Sequence, residues 1–186
     1  MPRCLMLDVD GVLITGRPED GRFWAADLER DLGIALDDLR ARLFGPHWAD
    51  IVVGRRDLRE VLTECLPHLA PTVSVERFMN YWFSRDARVD GTVLAEVDWL
   101  RARGVAVFLA TNQEHYRARH LMDHLELNRR VGGIAYSARL GARKPEPAFF
   151  RAAAALAGHA PQDLLLVDDT DANIEAARQA GWRAER

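Results

Sequence analysis

Cys4-Leu5-Met6-Leu7-Asp8-Val9-Asp10-Gly11-Val12 decides the fold of this chain. Its first part is a short, unbroken apolar run, as a fully buried strand would be. Then come two carboxylates one residue apart, followed at once by glycine. Side chains alternate along a strand, so Asp8 and Asp10 are expected to leave it on the same side. Like charges that close raise each other's pKa unless a cation or third group compensates. Glycine lets the backbone turn tightly just beyond them. Such a pair makes poor core material and suits a metal-dependent phosphate site.

Working outward, the rest of the chain falls into two patterns. After position 88, apolar runs alternate with helical periodicity. Val105-Ala106-Val107-Phe108-Leu109-Ala110, the weaker Gly133-Ile134-Ala135-Tyr136-Ser137 and Leu164-Leu165-Leu166-Val167 read as strands. Between them lie a helix capped by Thr92 with Val93, Val97 and Leu100 on one face, and another carrying Ala118, Leu121, Met122 and Leu125. A third helix opens near Pro145, and a last one runs through Ile174, Ala177 and Arg178 to Gly181. Strands separated by helices imply right-handed crossovers, and hence an α/β, Rossmann-like parallel sheet of about five strands flanked by helices. The closing Gly181-Trp182-Arg183-Ala184-Glu185-Arg186 leads us to expect a final edge strand that is cut short or absent.

Positions 16 to 88 read differently. Trp24, Leu28 and Leu32 repeat every four residues before Gly33, and Leu36, Leu39 and Leu43 follow, with an end expected at Gly45-Pro46. Leu58, Val61, Leu62, Cys65 and Leu66 form an apolar face with a stop expected at Pro67, and Val75, Phe78, Met79 and Trp82 repeat it behind Ser74, an N-cap residue type. The expected division is therefore an α/β core made of 1–15 and 89–186, with 16–88 inserted as an all-helical cap over the sheet's functional edge.

Composition sets bounds. The 186 residues, 48% hydrophobic, suit one domain with a modest insertion. A net charge of −3 argues against a nucleic-acid or membrane-surface partner. Cys4 and Cys65 have neither metal-ligand nor disulfide spacing, which points to a reducing compartment. Asp8 falls too early for a signal peptide, and no run approaches a membrane span, so the expected location is cytoplasmic. Of the 25 basic residues every one but Lys144 is arginine. A compact ammonium thus occurs at one position only, and Lys and Arg are not interchangeable.

In a parallel α/β sheet, ligands bind beyond the carboxyl ends of the strands. There the chain places Asp8 and Asp10, then Thr111 and Asn112, then Asp168 and Asp169, with Lys144 just before a helix start. Mg²⁺ takes hard oxygen ligands and commonly binds one or two carboxylates plus a substrate phosphate. Thr, Asn and Lys can hold phosphoryl oxygens. These four motifs, Asp8-Val9-Asp10-Gly11-Val12, Thr111-Asn112, Lys144-Pro145 and Val167-Asp168-Asp169 with Asn173, resemble those of the haloacid dehalogenase superfamily. The likeness is to the subgroup whose helical cap follows the first strand, and it covers essentially the whole chain.

The resemblance implies roles. Asp8 would be the nucleophile and form an aspartyl-phosphate. Asp10 would protonate the leaving oxygen and then activate water. Thr111, the Asn112 region and Lys144 would hold the transferring phosphoryl group, with Lys144 also neutralising charge on the nucleophile. Mg²⁺ would be bound by the Asp8 carboxylate, the Asp10 carbonyl and the Asp169 carboxylate, while Asp168 would orient the lysine or a metal-bound water. Family members that remove halide typically lack the second aspartate and the acidic pair, both present here. The expected activity is therefore a Mg²⁺-dependent phosphatase acting on a small phosphomonoester, a sugar phosphate or nucleotide-like metabolite. A phosphomutase is the alternative; a phospho-accepting signalling module fits less well, because it would carry its acceptor on a middle strand and lack the insertion. His47, Trp48, Asp50, Arg55, Arg56, Trp24 and Trp82 are candidates to shape the substrate pocket from the cap. His120 and His124, one helical turn apart, read as a surface-facing pair.

Overall fold

The computed structural model describes residues 2–186. Five parallel strands, β1 (Cys4–Leu7), β2 (Ala106–Thr111), β3 (Ile134–Tyr136), β4 (Leu164–Val167) and β5 (Arg183–Glu185), lie in the order β3-β2-β1-β4-β5. The opening stretch is thus the central strand, with Leu7 paired to Leu109 on one side and Val167 on the other. A strand buried on both faces needs no alternation of polarity. Cys4 and Met6 pack into one apolar layer, Leu5, Leu7 and Val9 into the other. The edge strand expected to be cut short or absent is present as a short strand of three residues: Arg183–Glu185 pairs with Leu165–Val167, and only Ala184 points into the core.

Between β1 and β2 come α1 (Leu28–Leu32), α2 (Leu36–Leu39), α3 (Gly45–Ile51), α4 (Leu58–Leu69), α5 (Val75–Arg85) and α6 (Gly91–Arg101). The remaining helices are α7 (His115–Arg119), α8 (Ser137–Leu140), α9 (Pro147–Ala157) and α10 (Asp171–Gln179). α9 and α10 cover one face of the sheet with Phe149, Phe150 and Ile174; α6 and α7 cover the other with Val97 and Ala118. α1 to α5 do not join either layer. They enclose a separate core in which Leu28, Leu39, Val61, Leu62 and Phe78 surround the Trp24–Trp82 stack.

Several local expectations need correction. No helix ends at Gly45-Pro46: α2 passes through a π-turn, Arg40–Phe44, directly into α3. Pro46 has no N–H to give the Arg42 carbonyl. The wide turn lets Gly45 donate to Arg40 instead, and the Cys65 thiol donates to the Arg42 carbonyl at 3.2 Å. Pro67 does not stop α4, which runs two residues further because only a single terminal bond is lost. Thr92 does not cap α6. Asp90 does, accepting from Thr92 N–H at 2.8 Å and Val93 N–H at 3.1 Å. Ser74 caps α5 as its residue type suggests, accepting from Arg77 N–H.

The two ends of the insertion meet at one place. Thr15 N–H donates to Arg88 at 3.0 Å, Asp90 N–H to Leu13 at 2.8 Å, and Ile14 bridges Val89 antiparallel. Entering and leaving chains are thus two adjacent straps. On the far side of the site, the Val52 carbonyl accepts from buried Ser137 at 2.5 Å. Gly54, at φ +74°, comes so close to the Ala138 carbonyl that a Cβ would collide with it. No described helix is long and apolar enough to cross a membrane.

Candidate active site

The end of β1 is shaped by one carbonyl. Val9 C=O accepts from Leu13 at 2.9 Å and Ile14 at 2.8 Å, folding the next residues into a tight loop. Gly11 sits in that loop at φ +83°, and a Cβ there would strike the Asp169 carboxylate. Glycine is therefore needed twice over, for its backbone angle and for the approach of Asp169.

This loop separates the two aspartates that the strand brought together. Asp8 turns toward Lys144, whose Nζ lies 2.8 Å from Asp8 Oδ1 and 2.5 Å from Asp168 Oδ2. The lysine side chain is 1% exposed and Asp168 is fully buried. A buried ammonium shared by two carboxylates is held as a point charge, which an arginine fork would not reproduce. Burial drives the Asp8 carboxyl up to about 6; Lys144 pulls it down and Asp168 pushes it up. Asp168 is fully engaged, because its Oδ1 also accepts from Thr170 N–H at 2.9 Å and Asn173 Nδ2 at 3.0 Å.

Asp10 goes elsewhere. Its Oδ2 accepts from Gln113 Nε2 at 2.5 Å, and its Oδ1 lies 3.9 Å from Arg117 Nη2. The side chain is 53% exposed on an open crevice lined also by Trp24, Trp48 and Asp86, and desolvation by the surrounding protein raises its carboxyl pKa while Arg117 lowers it and Asp86 raises it. The two carboxylates thus occupy distinct surroundings, one beside an ammonium and one beside an amide and a guanidinium.

Asn112 holds the lysine loop rather than leaving its amide free. Its Nδ2 donates to the Lys144 carbonyl at 3.0 Å and its Oδ1 accepts from Lys144 N–H at 2.8 Å. Thr111 is buried, with its hydroxyl 3.4 Å from Gln113 Nε2. Asp8, Asp168 and Asp169 each offer a carboxylate oxygen within 4.8 Å of the others. Three carboxylates against one ammonium leave excess negative charge, and the donors are all hard oxygens. That set fits Mg²⁺.

Gln113, Glu114 and Arg117 are the site residues that sequence reading missed. Arg117 is 1% exposed at the start of α7. Its guanidinium donates to the carbonyls of Phe83 and Asp86 and lies 3.3 Å from the Asp86 carboxylate, so it connects the end of α5 to Asp10. Glu114 caps α7, accepting from Tyr116 N–H at 2.7 Å and from Arg117 N–H, and burial raises its carboxyl to about 7. Gln113 follows Thr111-Asn112 directly, the one signal that could have drawn attention to it.

The cap candidates separate. Trp24, Trp48 and Trp82 line the crevice that reaches Asp10, with Asp86 and Arg40. His47, Asp50, Arg55 and Arg56 do not line it. Arg56 instead bonds His47 Nδ1 and the Glu64 carboxylate, and Arg55 pairs with Asp50. His120 and His124 are not a simple surface pair. Their rings stack at 5.0 Å, His120 also packs on Phe83, and burial lowers its pKa to about 4.

Residues 2–181 match the family model described as haloacid dehalogenase-like hydrolase. "Phosphoglycolate phosphatase 1" of Pseudomonas aeruginosa is 26% identical, over 98% of this chain and 68% of that protein. The phosphoglycolate phosphatase of Rhodospirillum rubrum is also 26% identical, over 97% of this chain and 77% of its own length. Among solved structures, a HAD family enzyme from Bacteroides thetaiotaomicron, in complex with magnesium and inorganic phosphate, superposes with a TM-score of 0.81 at 18% identity, covering all of this chain and 93% of that one. The L-2-haloacid dehalogenase of Xanthobacter autotrophicus superposes at 0.71, with 17% identity and 77% of its chain covered. The chain belongs to the haloacid dehalogenase-like hydrolase family.

Proposed function

We propose that this hydrolase is a Mg²⁺-dependent phosphatase that removes phosphate from a small phosphomonoester through an aspartyl-phosphate, with residues 16–88 acting as its cap. One observation carries the proposal: Lys144 Nζ bridges Asp8 and Asp168 beside Asp169, while Asp10 is held apart by Gln113. A nucleophile and a proton-transfer group must sit close together in different electrostatic surroundings. The phosphatase names of the relatives, and the magnesium and phosphate of the Bacteroides structure, support the same reading.

In this mechanism Asp8 attacks phosphorus as the anion, paired with the Lys144 ammonium. Asp10 gives its proton to the departing alkoxide, then takes one from the water that hydrolyses the acyl phosphate. Thr111 and Lys144 offer donors to the equatorial oxygens. Asn112 contributes through its main-chain N–H, since its side chain holds the lysine loop in place. Asp8 and Asp169, with the Asp10 carbonyl, would hold Mg²⁺, which supplies charge neutralisation to the phosphoryl group when bound. Phosphoryl transfer asks for positioning and electrostatics above all, which is what these residues provide.

The test is phosphate release from a panel of phosphomonoesters with and without MgCl₂. Turnover that needs the metal and disappears in Asp8→Asn is the expected result. A metal-loaded protein that hydrolyses none of the panel would overturn the proposal.

A further inference from the structure

Five aromatic side chains, Phe23, Trp24, Phe44, Trp48 and Trp82, wall a crevice of about 620 Å³ whose lining also includes Asp10 and Gly11. Trp82 is the hub: its ring lies 5.1 Å from Trp24 at an interplanar angle of 23°, 5.6 Å from Phe44 and 5.8 Å from Trp48. Phe23 extends the wall outward at 5.6 Å from Trp24 and is 54% exposed.

The charged groups of the crevice point the same way. Asp10 and Asp86 are both carboxylates, and Asp86 is paired with Arg117. Arg40 is the basic residue of the lining, and its guanidinium is 3.1 Å from Asp37. A leaving group carrying its own carboxylate would meet two acids, with Arg40 the one basic side chain of the lining, largely exposed to solvent. A polyol would find few partners for its hydroxyls along the aromatic walls, and each unpaired buried hydroxyl costs binding. A flat, uncharged ring would gain stacked and edge-on contacts with exposed Phe23 and half-buried Phe44 and Trp48, backed by the edge of Trp82.

We propose that the substrate is a phosphomonoester of an uncharged, ring-bearing alcohol, its ring held among Phe23, Trp48 and Trp82 while its ester oxygen meets Asp10. The inference rests on the phosphatase reading for its ester, but the ring preference can be measured apart from turnover. It separates this chain from the relatives named for phosphoglycolate, whose leaving group is an acid.

Binding decides it. Non-hydrolysable benzylphosphonate, ethylphosphonate and 3-phosphonopropionate are titrated into the magnesium-loaded protein by calorimetry. The expected result is at least tenfold tighter binding of benzylphosphonate than of either other compound. Phe23→Ala, at an exposed position that leaves the cap core untouched, and Trp48→Ala should each weaken benzylphosphonate about fivefold or more and leave ethylphosphonate unchanged. Equal binding of the three, tighter binding of the carboxylate compound, or a ring preference that survives both substitutions would overturn the inference. Turnover of benzyl phosphate, ethyl phosphate and 2-phosphoglycolate then separates the two readings: hydrolysis of none of them by the magnesium-loaded protein counts against the phosphatase. Hydrolysis of all three at equal kcat/KM would leave the phosphatase standing and remove the ring preference.

Discussion

The sheet edge and the cap are held together by opposite means. At the edge the deciding side chains are short and charged, and the backbone aims them. β1 delivers Asp8, a tight loop redirects Asp10, and Asn112 fixes Lys144 by its main chain. In the cap the deciding side chains are large and aromatic, and they fix one another around Trp82. The edge therefore tolerates little change of chemistry, whereas the cap tolerates little change of volume. On the proposed reading, one region sets what reaction occurs and the other what fits.

Substitutions can break that contrast, and the largest effect belongs to the edge. Asp8→Asn keeps the shape and removes the proposed nucleophile. Phosphate release should fall by roughly 10⁴-fold or more while the circular dichroism spectrum is unchanged. Lys144→Met should strike both activity and stability. It leaves Asp8 and Asp168 facing each other without their buried cation, so urea denaturation without metal should show a loss of about 3–5 kcal/mol. A wild-type melt from this variant would mean that the edge is not held by charge. Phe78→Ala tests the other half, since Phe78 is fully buried in the cap core and does not line the crevice. It should cost about 3 kcal/mol through the cavity it leaves, with much less loss of activity per unit of stability than Lys144→Met.

A pH experiment sharpens the seam between the regions. Burial raises the Glu114 carboxyl to about 7, so the folded state binds its proton more tightly than the unfolded chain does. Its contribution to stability is complete below the ordinary glutamate range, near pH 4, and is lost as pH rises through about 7. Glu114→Gln keeps an oxygen for capping α7 and removes the ionisation. The variant should be more stable than wild type at pH 8 by about 3 kcal/mol and show no advantage at pH 4. The smallest effect is Asp90→Ala, which removes the α6 cap beside the straps and should cost about 1 kcal/mol in thermal melts without changing turnover.

The edge was legible because strand ends are visible in a sequence. Four apolar runs announce where the backbone leaves the sheet, and parallel topology then gathers whatever follows them. Asp8, Asp168 and Lys144 come together in that way without any local signal joining them. Gln113 and Arg117 were not legible, because an amide and an arginine on an amphipathic helix read as solvated until burial is known. Asn112 was visible, but its use as a clamp on the Lys144 backbone was not. In the cap, residue types misled at the breakers: Pro46 and Pro67 sit inside continuing helices, where a π-turn and a terminal position accommodate the lost hydrogen bonds. Periodicity places Trp24 and Trp82 on apolar faces, yet it does not tell that those faces meet at a crevice shared with Asp10.

The paired straps at Ile14 and Val89 make the cap, seen from the sheet, a single closed loop whose two ends are already side by side. Loop-closure entropy rises only slowly with length. The strand pairing that builds the reaction centre is therefore almost indifferent to how much chain lies between those two residues. A longer, shorter or wholly different insertion could be grafted at the same point without re-registering β1 against β2. On the proposed reading, selectivity would diverge at that point while the chemistry stays still.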